Sequence, residues 1–274
     1  MSRNKRIINP FKTPKTRRFF NNKRRIRLLT YGKTKDNDNF TWLYYGTKQK
    51  KSGSVVETRC RYVLGAFKEF PPHGKVLICF GLNPSVGVPE DLEPTVQNLN
   101  DIAFSKEYDG WVMLNLFPLR DSSSDSISDT LMSMHKNKFE RLCTKNLEYI
   151  DEILSFFYKE KENVDILLAW GGNVKYKNDE TKTTKCFKRC IKDVYNKIVQ
   201  VYGKNWMDSH IKSCYRKGLK NKRTAKIHPR HLFPQRPADR PSPQNAIFEN
   251  FNFEDYIKKP FFSCTCNTFK KIRG

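Results

Sequence analysis

The chain has 274 residues and a formal net charge of +24 at pH 7, from 52 Lys and Arg against 28 Asp and Glu. This length can bury a sizeable core without disulfide staples, and the excess of positive charge predicts an anionic partner. No apolar run approaches the roughly 20 residues of a membrane-spanning helix, so we exclude a membrane partner and expect a cytoplasmic protein.

The first 50 residues are predicted to form a basic, flexible N-terminal arm. Residues 1–35 carry thirteen Lys and Arg side chains and no acidic one. A block of like charges repels itself and buries too little apolar surface to become ordered alone. We therefore expect residues 1–50 to become ordered when they meet phosphate groups.

From about Val55 onward the pattern alternates between strands and helices. A strand is predicted within Val55–Leu64, which mixes β-branched and polar residues. Three further runs are short and almost continuously apolar, which is typical of strands buried on both faces: Lys75–Leu82, Trp111–Phe117 and Val164–Trp170. Apolar residues at helical spacing follow each run, over Val96–Ala103, Phe139–Phe157 and Phe187–Val201.

With another strand predicted at Thr224–Ile227 after these three runs, the element order from Lys75 onward is βαβαβαβ. Buried parallel strands need helical crossovers, so the fold class is α/β: a three-layer αβα sandwich with a short, about four-stranded parallel sheet. We expect this domain to span residues 51–240, and residues 241–274 to form an aromatic C-terminal extension. In such sheets the ligand site lies beyond the carboxyl ends of the strands, which directs attention to the four loops that follow them.

The loop GLNPS, at the end of the predicted strand Lys75–Leu82, carries polar groups on a stiff turn. Gly81 permits a tight backbone, and Asn83 and Ser85 offer neutral hydrogen-bonding groups. An Asn at this edge can orient a water molecule, although Asn-Pro is also a common turn initiator.

The second strand places Asn115 among apolar residues, where an unpaired buried amide costs about 1–3 kcal/mol. Its carboxamide matches the donor and acceptor edge of a pyrimidine; the alternative is a bond to the backbone of a neighbouring loop. Arg120, just past Phe117 and Pro118, is predicted to bind a phosphate or a carboxylate.

The third and fourth loops add glycines and a basic motif. Gly171 and Gly172 allow the close approach of a ligand or of a neighbouring helix. The fourth loop contains the motif HPRH after a run of basic residues, and its candidate residues are His228, Arg230, His231, Lys222 and Arg223. Because the positive surroundings disfavour a charged imidazole, we expect a neutral His that donates one hydrogen bond.

Several common chemistries lack support in this sequence. It contains no GxxxxGK[ST], GxGxxG, HExxH or GxSxG motif. Its His and Cys residues lack the spacing of a metal site, so we predict neither a metal nor another cofactor.

Taken in order, the elements RYVLG, LNPS, EPT, NLFPLR, AWG and HPRH resemble the DUF1643 family of mostly bacterial and phage proteins. The loops GLNPS, LNLFPLR, LLAWGGN and HPRH also resemble the motif set of the uracil-DNA glycosylase superfamily. This second resemblance implies a glycosylase-like fold and hydrolysis of the N-glycosidic bond of a base flipped out of DNA. The four-Cys pattern of some branches is missing, so the resemblance implies no iron–sulfur cofactor.

Carried over residue by residue, the resemblance implies catalytic roles for Asn83 and His228. Asn83 would position the attacking water, and His228 would donate to the anion that develops on the leaving base. Asn115 would bind the pyrimidine edge, together with Gly81 and Phe117.

The same resemblance places Arg230 where the loop wedges into the duplex. The predicted nucleic-acid-binding residues are Ser85, Arg120, Gly171, Gly172, Arg230, His231, Lys222 and Arg223. Ser85 and His231 depart from the superfamily pattern, which leaves the base preference open.

The sequence supports two hypotheses. The first is a monomeric DNA glycosylase-like enzyme that binds nucleic acid, DNA rather than RNA, at the nucleoid of a bacterial or phage-infected cell. The alternative is a non-catalytic DNA- or RNA-binding module on the same fold. Free nucleosides are disfavoured as substrates because they do not need so wide a positive surface.

Overall fold

The computed structural model describes residues 40–46, 49–51, 54–56, 60–85, 92–121, 124–172, 182–217, 228–234, 237–259 and 262. The described elements are, in chain order, β1 (Thr41–Gly46), β2 (Gln49–Lys51), β3 (Ser54–Val56), β4 (Arg61–Phe67), β5 (Val76–Gly81), α1 (Pro94–Ser105), β6 (Gly110–Asn115), α2 (Ser124–Ser133), α3 (Lys136–Phe157), β7 (Val164–Leu168), α4 (Lys182–Tyr202), α5 (Lys204–His210), β8 (Ile211–Arg216), β9 (Ala246–Asn250) and α6 (Phe253–Lys258). The predicted arm up to residue 39 and the predicted strand Thr224–Ile227 lie outside the described residues.

Seven strands form one mixed sheet in the order β1-β4-β6-β5-β7-β8-β9, and β2 pairs with β3 separately. The four neighbours β6, β5, β7 and β8 run parallel. Antiparallel pairing adds β4 and β1 on one side and β9 on the other. The α/β class is therefore confirmed, whereas the sheet is larger and mixed rather than short and purely parallel.

The expected four-stranded sheet differs from the observed one because half-buried strands escape a search for continuous apolar runs. The fourth parallel strand is β8, whose sequence IKSCYR mixes apolar and polar residues without a continuous apolar run. The outer strands β1 and β9 also contain polar or exposed positions. Both lie outside the predicted 51–240 domain, so the sheet extends past those boundaries on each side.

Helices cover both faces of the sheet. In β5, Val76, Ile78 and Phe80 pack in the cluster that includes the apolar faces of α3 and α4. The alternate residues Leu77 and Cys79 pack with α1 on the opposite face. The three predicted helices are confirmed, since their amphipathic spacing corresponds to these two buried interfaces.

The carboxyl ends of the parallel strands meet at one edge of the sheet. Gly81 at the end of β5 is the register partner of Asn115 at the end of β6. Beyond the strands, the Leu116 N–H donates to the Gly81 carbonyl at 2.9 Å, and the Phe117 N–H donates to the Leu82 carbonyl at 3.1 Å. The loops after β5 and β6 therefore leave the sheet side by side.

Candidate functional site

Asn115 places a buried carboxamide at the carboxyl edge. The residue is 1% exposed. Neither its Nδ2 nor its Oδ1 has a hydrogen-bond partner among the described residues. Leaving such a group unpaired costs about 1–3 kcal/mol, so its donors and acceptor favour a bound molecule that can pair with them.

The space beside this carboxamide depends on Gly81. A Cβ built at position 81 would lie 2.8 Å from Asn115 Oδ1 and 2.8 Å from Met113 Cε. Both distances are shorter than van der Waals contact, so a side chain at position 81 would displace its neighbours. Gly81 thus allows the Asn115 amide to occupy its position.

Asn146 of α3 holds the backbone at the end of β6. Its Nδ2 donates to the Asn115 carbonyl at 2.8 Å and to the Leu116 carbonyl at 3.3 Å. It is buried, and the sequence analysis missed it. The available signal was a polar residue on the otherwise apolar face of α3, beside Cys143 and Ile150.

The Asn83 side chain connects the loop after β5 to the loop after β6. Its Nδ2 donates to the carbonyls of Pro84 and Asp121, both at 3.3 Å. The Asp121 N–H also donates to the Pro84 carbonyl at 2.9 Å. Among the described residues both bonds of the Asn83 side chain come from Nδ2, so Oδ1 is the acceptor that can orient a water molecule.

Two arginines lie close together beside these loops. Arg120 donates through Nε to the Ser85 carbonyl at 3.0 Å and through Nη1 to the Tyr44 hydroxyl at 3.4 Å. Arg61, at the start of β4, is fully buried, with Nη2 3.7 Å from Glu93 Oε1. Burial lowers the pKa of Arg61 to about 10; Glu93 opposes this shift and Arg120 adds to it. The local sequence around Arg61 did not predict a buried arginine, because burial of a charge has no local signature.

The loop with the HPRH motif, residues 228–234, crosses the carboxyl edge. On one side, His228 Nδ1 lies 2.8 Å from the hydroxyl of Tyr256 in α6. On the other side, the Leu232 carbonyl accepts from Asn98 Nδ2 of α1 at 2.8 Å. Between them, the Arg230 N–H donates to Ser213 Oγ of β8 at 3.3 Å.

The two glycines after β7 lie against this loop. Gly171 has a φ of +75°, and a Cβ built there would lie 3.1 Å from His231 Cβ. A Cβ at Gly172 would lie 3.9 Å from His228 Cδ2. The close neighbour of Gly171 is thus the HPRH loop and not a helix, while Gly172 makes only an ordinary contact with this loop.

Both histidines of this loop are held uncharged at neutral pH. His228 is 5% exposed. Burial, with a smaller effect of the Lys259 charge, lowers the pKa of His228 to about 3. Burial also lowers the pKa of His231, whose Nδ1 accepts from the Phe233 N–H at 3.0 Å. The expected neutral imidazole at position 228 therefore results mainly from desolvation rather than from the basic surroundings.

Two other predicted site residues, Phe117 and Arg230, contact aromatic rings of the domain. Phe117 is fully buried and stacks on Phe139 with a centroid distance of 5.5 Å, so its ring belongs to the core. The Arg230 guanidinium lies over the Tyr215 ring, 5.5 Å from its centroid. Lys222 and Arg223 lie outside the described residues.

The described ranges contain no group of three or more His, Cys, Asp or Glu that could hold a metal ion. The six cysteines in these ranges are buried and form no disulfide bond, and Cys264 and Cys266 lie outside the described residues. Within the same part of the chain, no helix is long and apolar enough to cross a membrane.

These features define a mixed α/β protein in which polar groups from four loops are gathered at the carboxyl edge of a parallel core. The sequence matches the family model DUF1643, protein of unknown function, over residues 61–231, which is more than half of the chain. The chain therefore belongs to the DUF1643 family. Comparisons with curated proteins and with solved structures gave no match. Tyr256 and α6 lie outside the matched residues.

Proposed function

We propose that this protein binds DNA and hydrolyses the N-glycosidic bond of a base that is flipped out of the strand. The observation that carries the proposal is the Asn115 carboxamide, which is buried and has no hydrogen-bond partner among the described residues. Its two donor hydrogens and one acceptor oxygen complement the edge of a pyrimidine ring. A bound base would offset the cost of burying this amide.

The surrounding groups suit the chemistry of this reaction. Cleavage of the bond develops negative charge on the departing base, and one well-placed donor contributes about 2.7–4 kcal/mol to comparable reactions. His228 supplies a neutral imidazole for that role, because its lowered pKa keeps it uncharged at neutral pH. Asn83 Oδ1 orients the attacking water from the neighbouring loop.

The resemblance to the uracil-DNA glycosylase superfamily supports the same proposal. Its four matching motifs all belong to loops or strand ends at one edge of the sheet, those after β5, β6 and β7 and the loop 228–234. A shared edge is what a common site requires. The net charge of +24 favours phosphate contacts that offset the few kcal/mol needed to flip a nucleotide.

One observation favours a second function, a non-catalytic nucleic-acid-binding module. His228 is only 5% exposed and contacts Tyr256, which is the environment of a structural histidine. In this alternative the basic surface holds the nucleic acid, while the polar edge stabilises the fold.

An abasic-site assay distinguishes the two functions. The substrates are single- and double-stranded oligonucleotides that carry uracil, mismatched thymine, hypoxanthine or a hydroxymethylated pyrimidine. We expect alkali-labile strand breaks with the wild type, their loss in Asn83→Ala and His228→Ala, and their retention in the control Asn250→Ala, whose side chain is exposed on β9. Salt-sensitive binding with no abasic site on any substrate would overturn the glycosylase and favour the binding module.

A further inference from the structure

Tyr256 reaches the edge of the sheet from the C-terminal helix α6. Its hydroxyl oxygen lies 2.8 Å from His228 Nδ1. The two rings meet edge to face, with centroids 5.6 Å apart and an interplanar angle of 83°. Tyr256 is almost completely buried, so this contact is sheltered from solvent.

A second contact constrains the direction of that hydrogen bond. Trp170, just after β7, has its Nε1 3.4 Å from the same hydroxyl oxygen. An indole N–H is a donor only, so the Tyr256 oxygen accepts there and can direct its own proton to His228 Nδ1. A neutral imidazole that accepts at Nδ1 carries its proton on Nε2.

We propose that Tyr256 is a positioning residue that fixes His228 in the neutral tautomer protonated on Nε2. This tautomer presents an N–H donor on the side of the ring that faces away from Tyr256. The catalytic consequence, donation to the departing base, rests on the proposed glycosylase function. The tautomer itself does not depend on that function.

The position of the Tyr256 side chain is itself well fixed. Its ring contacts Phe251 and Phe262 edge to face, at centroid distances of 5.4 Å and 5.3 Å. Asn252 caps the start of α6, because its Oδ1 accepts from the Asp255 N–H at 2.9 Å. Lys192 Nζ of α4 donates to the Phe262 carbonyl at 2.9 Å, and the Phe262 ring packs on Tyr256. The hydroxyl is therefore presented to His228 from a packed helix.

The charge of Lys259 favours the same neutral state of His228. Lys259 follows α6, and its Nζ lies 5.8 Å from the centroid of the Tyr256 ring. A nearby positive charge disfavours an imidazolium, so the ring is neutral and adopts one of two tautomers. The hydrogen bond from Tyr256 selects the tautomer that is protonated on Nε2.

The test is a two-bond 1H–15N NMR correlation on the full-length protein labelled with 15N-histidine. His228→Ala assigns the His228 signals by their loss. In the wild type we expect His228 to show protonated Nε2 and unprotonated Nδ1. A protonated Nδ1 in the wild type would overturn the proposal without any variant.

Tyr256→Phe removes only the hydroxyl. We expect its His228 signals to move towards a mixture of the two tautomers, while the control Tyr202→Phe keeps the wild-type pattern. Tyr202 is also buried, and its hydroxyl donates to the Leu154 carbonyl at 3.0 Å, away from the loop 228–234. An unchanged Nε2-protonated tautomer in Tyr256→Phe would refute the role of Tyr256.

On a substrate that the wild type cleaves, we expect Tyr256→Phe to lower kcat by about 10- to 100-fold with little change in KM, as for other partners that orient a functional imidazole. A kcat equal to that of the wild type would count against the positioning role. If the wild type cleaves no substrate, the proposed function fails, and the NMR measurement still decides the tautomer.

Discussion

Gly81 and Asn115 are register partners at the ends of two parallel strands, and a Cβ on Gly81 would lie 2.8 Å from Asn115 Oδ1. The backbone of β5 thus determines the space that the Asn115 amide of the neighbouring strand β6 can occupy. This relationship makes the site sensitive to a change that leaves every polar group in place.

Gly81→Ala is expected to displace the Asn115 carboxamide and the Met113 side chain. Overpacking a core of this kind costs about 1–3 kcal/mol of unfolding free energy, and base binding should weaken with it. Urea denaturation and oligonucleotide binding measure the two effects. Gly172→Ala is the matched control for the denaturation measurement, because the nearest atom that its Cβ would meet is 3.9 Å away. Equal denaturation midpoints for Gly81→Ala and the wild type would contradict this account.

Asn115→Leu is expected to stabilise the protein while it removes base recognition. The side chains are similar in shape, and the substitution eliminates a buried amide that lacks a partner among the described residues. We expect a gain of about 1 kcal/mol in the free energy of unfolding, since an unpaired buried amide costs about 1–3 kcal/mol. Equilibrium urea unfolding measures the change.

Asn146→Leu provides the contrast in the same experiment. Asn146 makes two hydrogen bonds to the backbone at the end of β6, so its loss should destabilise the fold by about 1–3 kcal/mol. If Asn115→Leu were destabilising to the same extent, the Asn115 amide would have to be paired in the free protein.

The stability of the protein should depend on pH through His228. The pKa of this group is about 3 in the folded state and 6.5 in its ordinary state, so the unfolded chain takes up a proton first as the pH falls. The contribution of His228 to the free energy of unfolding is fully present above pH 6.5. It is lost as the pH falls towards 3, at up to about 1.4 kcal/mol per pH unit. We expect chemical denaturation between pH 7.5 and 4.5 to show that the free energy of unfolding falls less steeply in His228→Gln than in the wild type.

The control variant is His73→Gln, which removes an exposed imidazole instead of the buried imidazole of His228. The half-buried His231 also has a lowered pKa and contributes in the same direction, so the comparison uses variants in which His231 is retained. Identical pH profiles for the wild type and His228→Gln would show that His228 is not held neutral by burial.

Nucleic-acid binding should weaken steeply with salt. Each phosphate contact adds close to one unit to the slope of log K against log salt, and the net charge of +24 favours several such contacts. Arg230→Gln should reduce this slope by about one if Arg230 contacts a phosphate. Fluorescence anisotropy from 50 to 300 mM salt measures the slope, with Arg189→Gln as the control because Arg189 is paired with Glu140 between helices. Salt-independent binding would argue against the electrostatic contribution.

Local patterns in the sequence predicted the centre of the sheet well. Strands buried on both faces, such as β5 and β7, are continuously apolar, and their helices have one apolar face, so both can be recognised from neighbouring residues alone. The strands β1, β8 and β9 were missed because half-buried strands mix polar and apolar residues in the way that loops do.

The residues of the candidate site can also be separated into those that local patterns predict and those that they miss. The sequence alone singled out Asn83, Asn115 and His228, because polar residues within or next to buried strands stand out in the chain, although it placed Asn115 inside its strand rather than at the end. It also determined the α/β class through the alternation of strand and helix patterns.

Only the tertiary structure added the partners that come from distant parts of the chain. The register of β5 against β6 placed Gly81 beside Asn115, and the packing of α3 brought Asn146 to the end of β6. The docking of α6 brought Tyr256 to His228, 28 residues earlier in the chain. Such contacts depend on strand pairing and helix packing between remote segments, and these are set by the burial of whole faces rather than by any local pattern.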